Sequence, residues 1–379
     1  MRHSTVFVSE TIDAIRASGN VLKLRDGEIL LPDSFGFCRG VNRALAMLEK
    51  ACAPGDTDPT KLFLLGQIIH NPWVNDHFSG LGVRILSPDQ VEHLEEFITP
   101  ADRAVIPAFG VTVEIEGRLK DLGCEVLDTT CGDVHRLWLW ACRAAEKGFG
   151  VVIFGRAEHD ETVVTKSRLD AVGGKYVVVG DLAETRLLAD MISNKIPRDK
   201  FTEYFPPVCT NADSIEPFLR LAQVSQTTML YSDTGEVRRI LKAAFTSRYS
   251  LRIADGASPH ELLFEPTVCH ATQDHQTAAA MLCASGCDLV MVVGGFGSSN
   301  TRHLHELARG YVPAFFIEDA GAIISVDHVI AFDPDLSEPV SLEGWLPTTR
   351  PLTIGVLAGA SSPEVVVGQV VDRLAEFLS

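Results

Sequence analysis

The sequence predicts an α/β protein built from small parallel sheets with helices on both faces. Three observations lead there. Short apolar runs rich in Val and Ile recur at 62–65, 104–107, 150–154, 176–179, 289–293, 314–317 and 353–357. Between them, apolar residues fall at helical spacing over 42–52, 134–147, 214–224, 276–285, 300–309 and 363–379. The longest apolar run, within 288–294, has the length of a buried strand. Strand and helix patterns that alternate in this way build parallel strands joined by crossover helices.

The elements follow in chain order. Residues 1–30 carry a weaker pattern and predict an extension or edge element. Each apolar run from 62 onward predicts a strand, and each helical segment the crossover that follows or precedes it. The mixed, Pro-containing stretch 190–213 predicts a loop or insertion. The last segment, "EVVVGQVVDRLAEFL", predicts a C-terminal helix.

The chain has 379 residues, 46% of them hydrophobic, which supplies a large core and favours two or three domains. The formal net charge of -17 argues against nucleic acid or an anionic membrane as partner, since both are bound through Lys and Arg. A local nest of amides still permits a small anionic ligand. The first residues lack the apolar core of a signal peptide, and no apolar run reaches the ~18–20 residues that span a bilayer. The expectation is a soluble protein of the cytoplasm.

Nine cysteines, an odd number at wide spacing, do not read as a disulfide framework. Three stand in loop contexts: Cys38 in "SFGFCRGV", Cys131 in "VLDTTCGDV" and Cys269 in "PTVCHATQDHQ". Each follows a strand-like stretch and precedes a helical pattern. Ligand sites in open parallel sheets form at the carboxyl ends of strands. Three thiolates without CxxC pairing suit an iron–sulfur cluster better than zinc. Taken singly, each also has the look of a small buried hydrophobe.

Polar residues gather at other strand ends. Ser298, Ser299 and Asn300 in "GSSNTRHL" open a helix after Gly294-Gly295 and suit an anion, although an ordinary N-cap has the same composition. Ser361 in "AGASSPEV" repeats that logic. His70 lies just past a strand in "QIIHNPWV". His159 and Glu161 in "RAEHDETVVT" form a candidate proton relay. Thr227 and Thr228 in "SQTTML" follow an apolar, helix-like run.

Taken in order, "GFCRGVNRA", "QIIHN", "DTTC", "HDET", "QTTML", "CHATQDHQ", "VVGGFGSSNT" and "AGASSPE" resemble the LytB/IspH family of 4-hydroxy-3-methylbut-2-enyl diphosphate reductases. The resemblance runs from about residue 34 to 365 and includes features of the cyanobacterial and plastid branch. It implies a three-lobed α/β fold around a central [4Fe-4S] cluster: an extension over 1–30, then lobes over 31–131, 132–268 and 269–379. Cys38, Cys131 and Cys269 would hold the cluster and leave one iron open. His70, His159, Ser298, Ser299, Asn300 and Ser361 would bind the diphosphate of an allylic substrate. Glu161 would donate the proton, with His159 beside it, and Thr227 would fix the substrate hydroxyl. The implied electron donor is a ferredoxin or flavodoxin, and the implied place is the bacterial cytosol or a plastid-like stroma.

Two positions depart from the family pattern. Phe109 stands where many members have a diphosphate-binding histidine. Gly132 replaces the proline that usually follows the cluster cysteine. Alternatives remain. A redox-neutral iron–sulfur dehydratase, or an enzyme for another allylic substrate, would use the same ligands. A cluster-storage or sensing protein would need neither Glu161 nor the Ser-Ser-Asn triplet.

Overall fold

The computed structural model describes residues 5–253, 262–334 and 336–379. The chain divides into two compact units. One runs to Pro88 and resumes over His270–Ser379; the other is Asp89–Cys269.

The first unit is built on a five-stranded sheet in the order Val21–Leu24, Gly27–Leu30, Leu352–Ala358, Leu289–Val293, Ala314–Ile317. Its strands pair in parallel apart from the hairpin of the first two. The interior strand Leu289–Val293, Leu-Val-Met-Val-Val, is buried throughout. Side chains alternate across a strand. Leu289, Met291 and Val293 accordingly pack with Ile12, Ile15 and the apolar face of helix Glu364–Ala375. Val290 and Val292 pack the other way, against Leu282, Cys283, Leu304 and Ala308 of helices His270–Ala284 and Ser299–Arg309. Helices thus cover both faces, and Gly27–Leu30 extends the sheet beside Leu352–Ala358. A short parallel pair, Leu62–Leu64 with Arg84–Ile85, flanks helix Pro72–Gly80. An antiparallel hairpin, His328–Asp333 with Glu338–Glu343, completes the unit.

The second unit repeats the plan. Its sheet runs Leu262–Phe264, Leu221–Ser225, Gly150–Phe154, Tyr176–Val179, all parallel. Val152, Phe154, Val177 and Val179 face helices Leu182–Ile192 and Tyr231–Ile253 through Leu188, Ile192, Val237 and Leu241. Val151, Ile153 and Val178 face helices Gly132–Glu146 and Asp160–Ala171 through Leu137, Ala141, Val164 and Leu169. Strand Arg103–Ile106 pairs in parallel with Glu125–Asp128.

One expectation is corrected. Residues 214–224 are not a helix: a 3-10 turn, Glu216–Leu219, leads into strand Leu221–Ser225. Ile215, Phe218, Ala222 and Val224 are all buried, but by opposite faces of a central strand and its entry turn, and this burial mimics helical spacing. Pro217 stands at the start of the turn, a position proline suits, so the strand is set by its pairing with Gly150–Phe154. Thr227 and Thr228 therefore follow a strand. No helix among the described residues is long and apolar enough to cross a membrane.

Candidate active site

In the first unit, two neighbouring parallel strands end together, with Val293 beside Ala358. The chain leaves them through Gly294-Gly295 and Gly359-Ala360. Glycine is required here by close approach. A Cβ on Gly359 would lie 2.0 Å from Thr301 Oγ1, and one on Gly294 would lie 2.6 Å from Ser362 Oγ. Ser298 caps helix Ser299–Arg309, its Oγ accepting from Thr301 N–H at 3.3 Å. The same oxygen accepts from the Thr301 hydroxyl at 2.9 Å and the Ser361 hydroxyl at 3.1 Å. Asn300 Oδ1 accepts the Ala360 N–H at 2.8 Å while its Nδ2 donates to Thr272 Oγ1 at 3.4 Å. These two bonds fix the orientation of the amide. Ser298, Ser299, Asn300, Thr301, Ser361 and Ser362 are all buried. Burying this much polar surface is costly, and a helix N-terminus carries partial positive charge. The cluster is suited to an anion.

Cys38 and His70 join it. Cys38 N–H donates to Ala360 O at 3.3 Å. Its sulfur caps helix Arg39–Ala51, accepting from Val41 N–H at 3.4 Å. Gly36 supplies the left-handed turn ahead of it, at φ +77°. His70 precedes helix Pro72–Gly80, whose cap is Asn71. The His70 carbonyl packs so tightly on Gly295 that a Cβ there would lie 2.5 Å away, and its imidazole passes Gly297. Cys38, His70, Ser298, Ser299, Asn300 and Ser361 thus share one end of one sheet.

In the second unit, Cys131, His159, Glu161, Thr227 and Cys269 also follow strands or head helices. Glu161 is 3% exposed. Its Oε1 accepts Thr227 N–H and its Oε2 accepts the Thr227 hydroxyl, both at 2.6 Å. Burial pushes its carboxyl up to about 7, against the two Thr227 bonds, which pull it down; Asp133 adds to the rise. His159 caps helix Asp160–Ala171, with Nδ1 accepting the Glu161 N–H at 3.2 Å. In the neutral ring the proton therefore sits on Nε2. Cys269 N–H donates to Thr227 O at 3.0 Å, which places that thiol on the Thr227 loop. Cys131 heads helix Gly132–Glu146, and its N–H donates to Ala108 O at 2.8 Å. Burial raises the Cys131 thiol, with Asp133 and Glu161 adding to the rise and the amides of Asp133 and Val134 opposing it.

No disulfide links the nine cysteines. Among the described residues, no three His, Cys, Asp or Glu side chains are gathered closely enough to hold a metal ion. The donor chemistry nevertheless suits a sulfur-ligated group. Cys38 and Cys131 sit at helix N-termini, and Cys269 immediately precedes helix His270–Ala284. Backbone amides and the dipole there pull toward thiolate and so oppose burial, which at Cys131 still raises the thiol overall. Helix Gly132–Glu146 starts with glycine where the family usually has proline, and a Cβ there would meet nothing within 4 Å. Phe109 lies between Ala108, which holds the Cys131 amide, and Gly110.

Three contributors stand outside the residues the sequence singles out. Thr301 fills the space against Gly359 and holds Ser298; Thr272 orients Asn300. Gln226 Oε1 accepts Arg156 N–H at 3.1 Å and the Thr162 hydroxyl at 3.4 Å, tying the loop that leads to His159 to that of Thr227. All three lie inside quoted motifs: Gln226 directly beside Thr227, Thr301 directly beside Asn300, and Thr272 in "CHATQDHQ" after Cys269.

The comparisons with known proteins agree with one another. Residues 29–375 match the family model described as LytB protein. The 4-hydroxy-3-methylbut-2-enyl diphosphate reductase of Synechococcus sp. (strain CC9311) is 35% identical over 369 residues, 97% of this chain and 90% of that one. The protein of the same name from Gloeobacter violaceus is 33% identical, covering 98% and 88%. A solved structure of (E)-4-hydroxy-3-methyl-but-2-enyl diphosphate reductase, described as the terminal enzyme of the non-mevalonate pathway, aligns at TM-score 0.54 and 25% identity, over 92% of this chain and 99% of that one. The E-1-hydroxy-2-methyl-but-2-enyl-4-diphosphate reductase from Plasmodium falciparum shares the fold at TM-score 0.66 and 21% identity, over 92% and 88%.

Proposed function

The chain belongs to the LytB family, and from that membership we infer that it reduces 4-hydroxy-3-methylbut-2-enyl diphosphate to isopentenyl and dimethylallyl diphosphate. The reaction takes two electrons and two protons and releases the allylic hydroxyl as water; it belongs to the non-mevalonate isoprenoid pathway. The observation that carries the reading is Glu161. A buried carboxyl poised at about 7 and held by both the amide and the hydroxyl of Thr227 can release a proton at neutral pH.

Family membership implies an iron–sulfur cofactor. We propose a [4Fe-4S] cluster on Cys38, Cys131 and Cys269. When bound, such a cluster supplies electrons and one Lewis-acidic iron free of protein ligands. The protein's own residues do the rest. Ser298, Ser299, Asn300 and Ser361 grip the diphosphate with preset hydroxyls, an oriented amide and a helix N-terminus. His70 and His159 add imidazoles to that grip, His159 through its Nε2–H. Anchoring the diphosphate positions the alcohol, so binding energy is used for orientation. Thr227 holds the hydroxyl, and Glu161 passes it a proton as the C–O bond breaks. A ferredoxin or flavodoxin is the electron donor we propose, in a bacterial cytosol or plastid-like stroma.

The assignment is tested by metal content and turnover together. Cys38→Ser, Cys131→Ser and Cys269→Ser should each lose iron on anaerobic purification. Cys283→Ser should keep it, since Cys283 lies in the sheet core. Glu161→Gln should keep iron and lose turnover. Full iron in all three cysteine variants would overturn the ligand set, and wild-type turnover by Glu161→Gln would remove Glu161 from its role.

A further inference from the structure

Two helices of the second unit start at site residues. Gly132–Glu146 begins behind Cys131, and Asp160–Ala171 carries Glu161 in its first turn. Seven residues on from each, about two turns down the same face, stand Trp138 and Arg168. Their side chains meet. The Arg168 guanidinium carbon lies 4.5 Å from the centroid of the Trp138 ring.

A third element closes on this stack. It is the loop after strand Arg103–Ile106, the one that carries Phe109. Its Ala108 carbonyl accepts the Cys131 N–H at 2.8 Å. Its Gly110, at φ +84°, lies so close to the indole that a Cβ would stand 2.3 Å from Trp138 Cη2. Its Val111 carbonyl accepts from Arg168 Nη2 at 3.3 Å. Further along, Val113 N–H donates to Ser167 Oγ at 3.0 Å. Glu116 holds the guanidinium from the far side through both carboxylate oxygens, with Nη1 to Oε2 at 2.7 Å. Trp138 is 6% exposed, while Arg168 and Glu116 are half-buried, so the stack lies inside and its ion pair reaches toward the surface.

We propose that the Trp138–Arg168 stack is a positioning clamp, which sets the Glu161 helix in register with the Cys131 helix and closes the 108–111 loop on both. Apolar burial holds the two helices together but is non-directional. The planar guanidinium is directional: it stacks on one partner, forks to a second and reaches a third. Lysine cannot make all three contacts. The clamp rests on the functional reading above for its consequence, because a displacement of about 1 Å at reacting groups costs up to about a hundredfold in rate.

The test uses Arg168→Met and Arg168→Lys. In reconstituted enzyme with reduced viologen and 4-hydroxy-3-methylbut-2-enyl diphosphate, kcat should fall about tenfold or more while KM stays within about twofold. In cluster-free protein, amide exchange at 108–111 and at Cys131 should speed up about tenfold, with exchange at 293–301 unchanged. Arg168→Lys decides the matter if Arg168→Met does not fold. Wild-type exchange and turnover in the variants would overturn the clamp. So would exchange that rises equally in both units, or a raised KM with kcat unchanged. Wild-type protein without turnover would instead refute the functional reading, and the exchange pattern would still decide the clamp.

Discussion

Replacing Glu161 with Gln should flatten the protein's stability against pH, by an amount the structure sets. In the fold, burial raises the Glu161 carboxyl to about 7 from its ordinary 4.5. Below 4.5 the group is protonated both folded and unfolded, and its pH-linked contribution is fully present. Between 4.5 and 7 the unfolded chain ionises while the folded one keeps its proton, so stability falls as pH rises. Above 7 both forms are ionised and the loss is complete. At about 1.4 kcal/mol per pH unit, the whole loss comes to about 3 kcal/mol. Gln mimics the protonated acid: its carbonyl can keep the Thr227 N–H, and its amide can donate to the Thr227 hydroxyl. Urea unfolding of both cluster-free proteins from pH 4.5 to 7.5 measures the difference. The variant should gain on wild type by about 3 kcal/mol across that window. Parallel curves would mean that Glu161 is ionised throughout, and the argument for it as proton donor would fail.

Two further substitutions probe the anion cradle. Asn300→Ala leaves the Ala360 N–H without its acceptor, a change worth about 1–3 kcal/mol at a buried group. It should raise KM for the diphosphate substrate about tenfold with iron content intact, as steady-state kinetics would show. Gly359→Ala drives a methyl group to 2.0 Å from Thr301 Oγ1 and should destabilise by about 1–3 kcal/mol. Adding Thr301→Ala should recover part of that loss in a double-mutant cycle of unfolding free energies, and strict additivity would contradict the contact.

Much of the α/β character is legible in the residues because its central strands are buried on both faces. The runs at 150–154, Gly-Val-Val-Ile-Phe, and 289–293, Leu-Val-Met-Val-Val, are free of polar side chains for that reason. Leu221–Ser225 is equally buried but contains Gln and Ser, and its apolar neighbours fall at helical spacing. Strand Glu125–Asp128 is half exposed and too short to show a period. In the site, Ser298 and Asn300 stand out because three polar residues in succession open a helix just after a glycine pair. Thr301 and Thr272 do not, since a threonine inside a helix is ordinary. Their roles come from tertiary approach, one against Gly359 and the other against the Asn300 amide.

The most direct measurement is anaerobic turnover. Protein reconstituted with iron and sulfide, its cluster confirmed by absorbance, would be given reduced viologen and 4-hydroxy-3-methylbut-2-enyl diphosphate. The account predicts viologen oxidation at two electrons per product, matched by isopentenyl and dimethylallyl diphosphate. An intact cluster with no viologen oxidation would contradict it and point to another allylic substrate or a redox-neutral reaction.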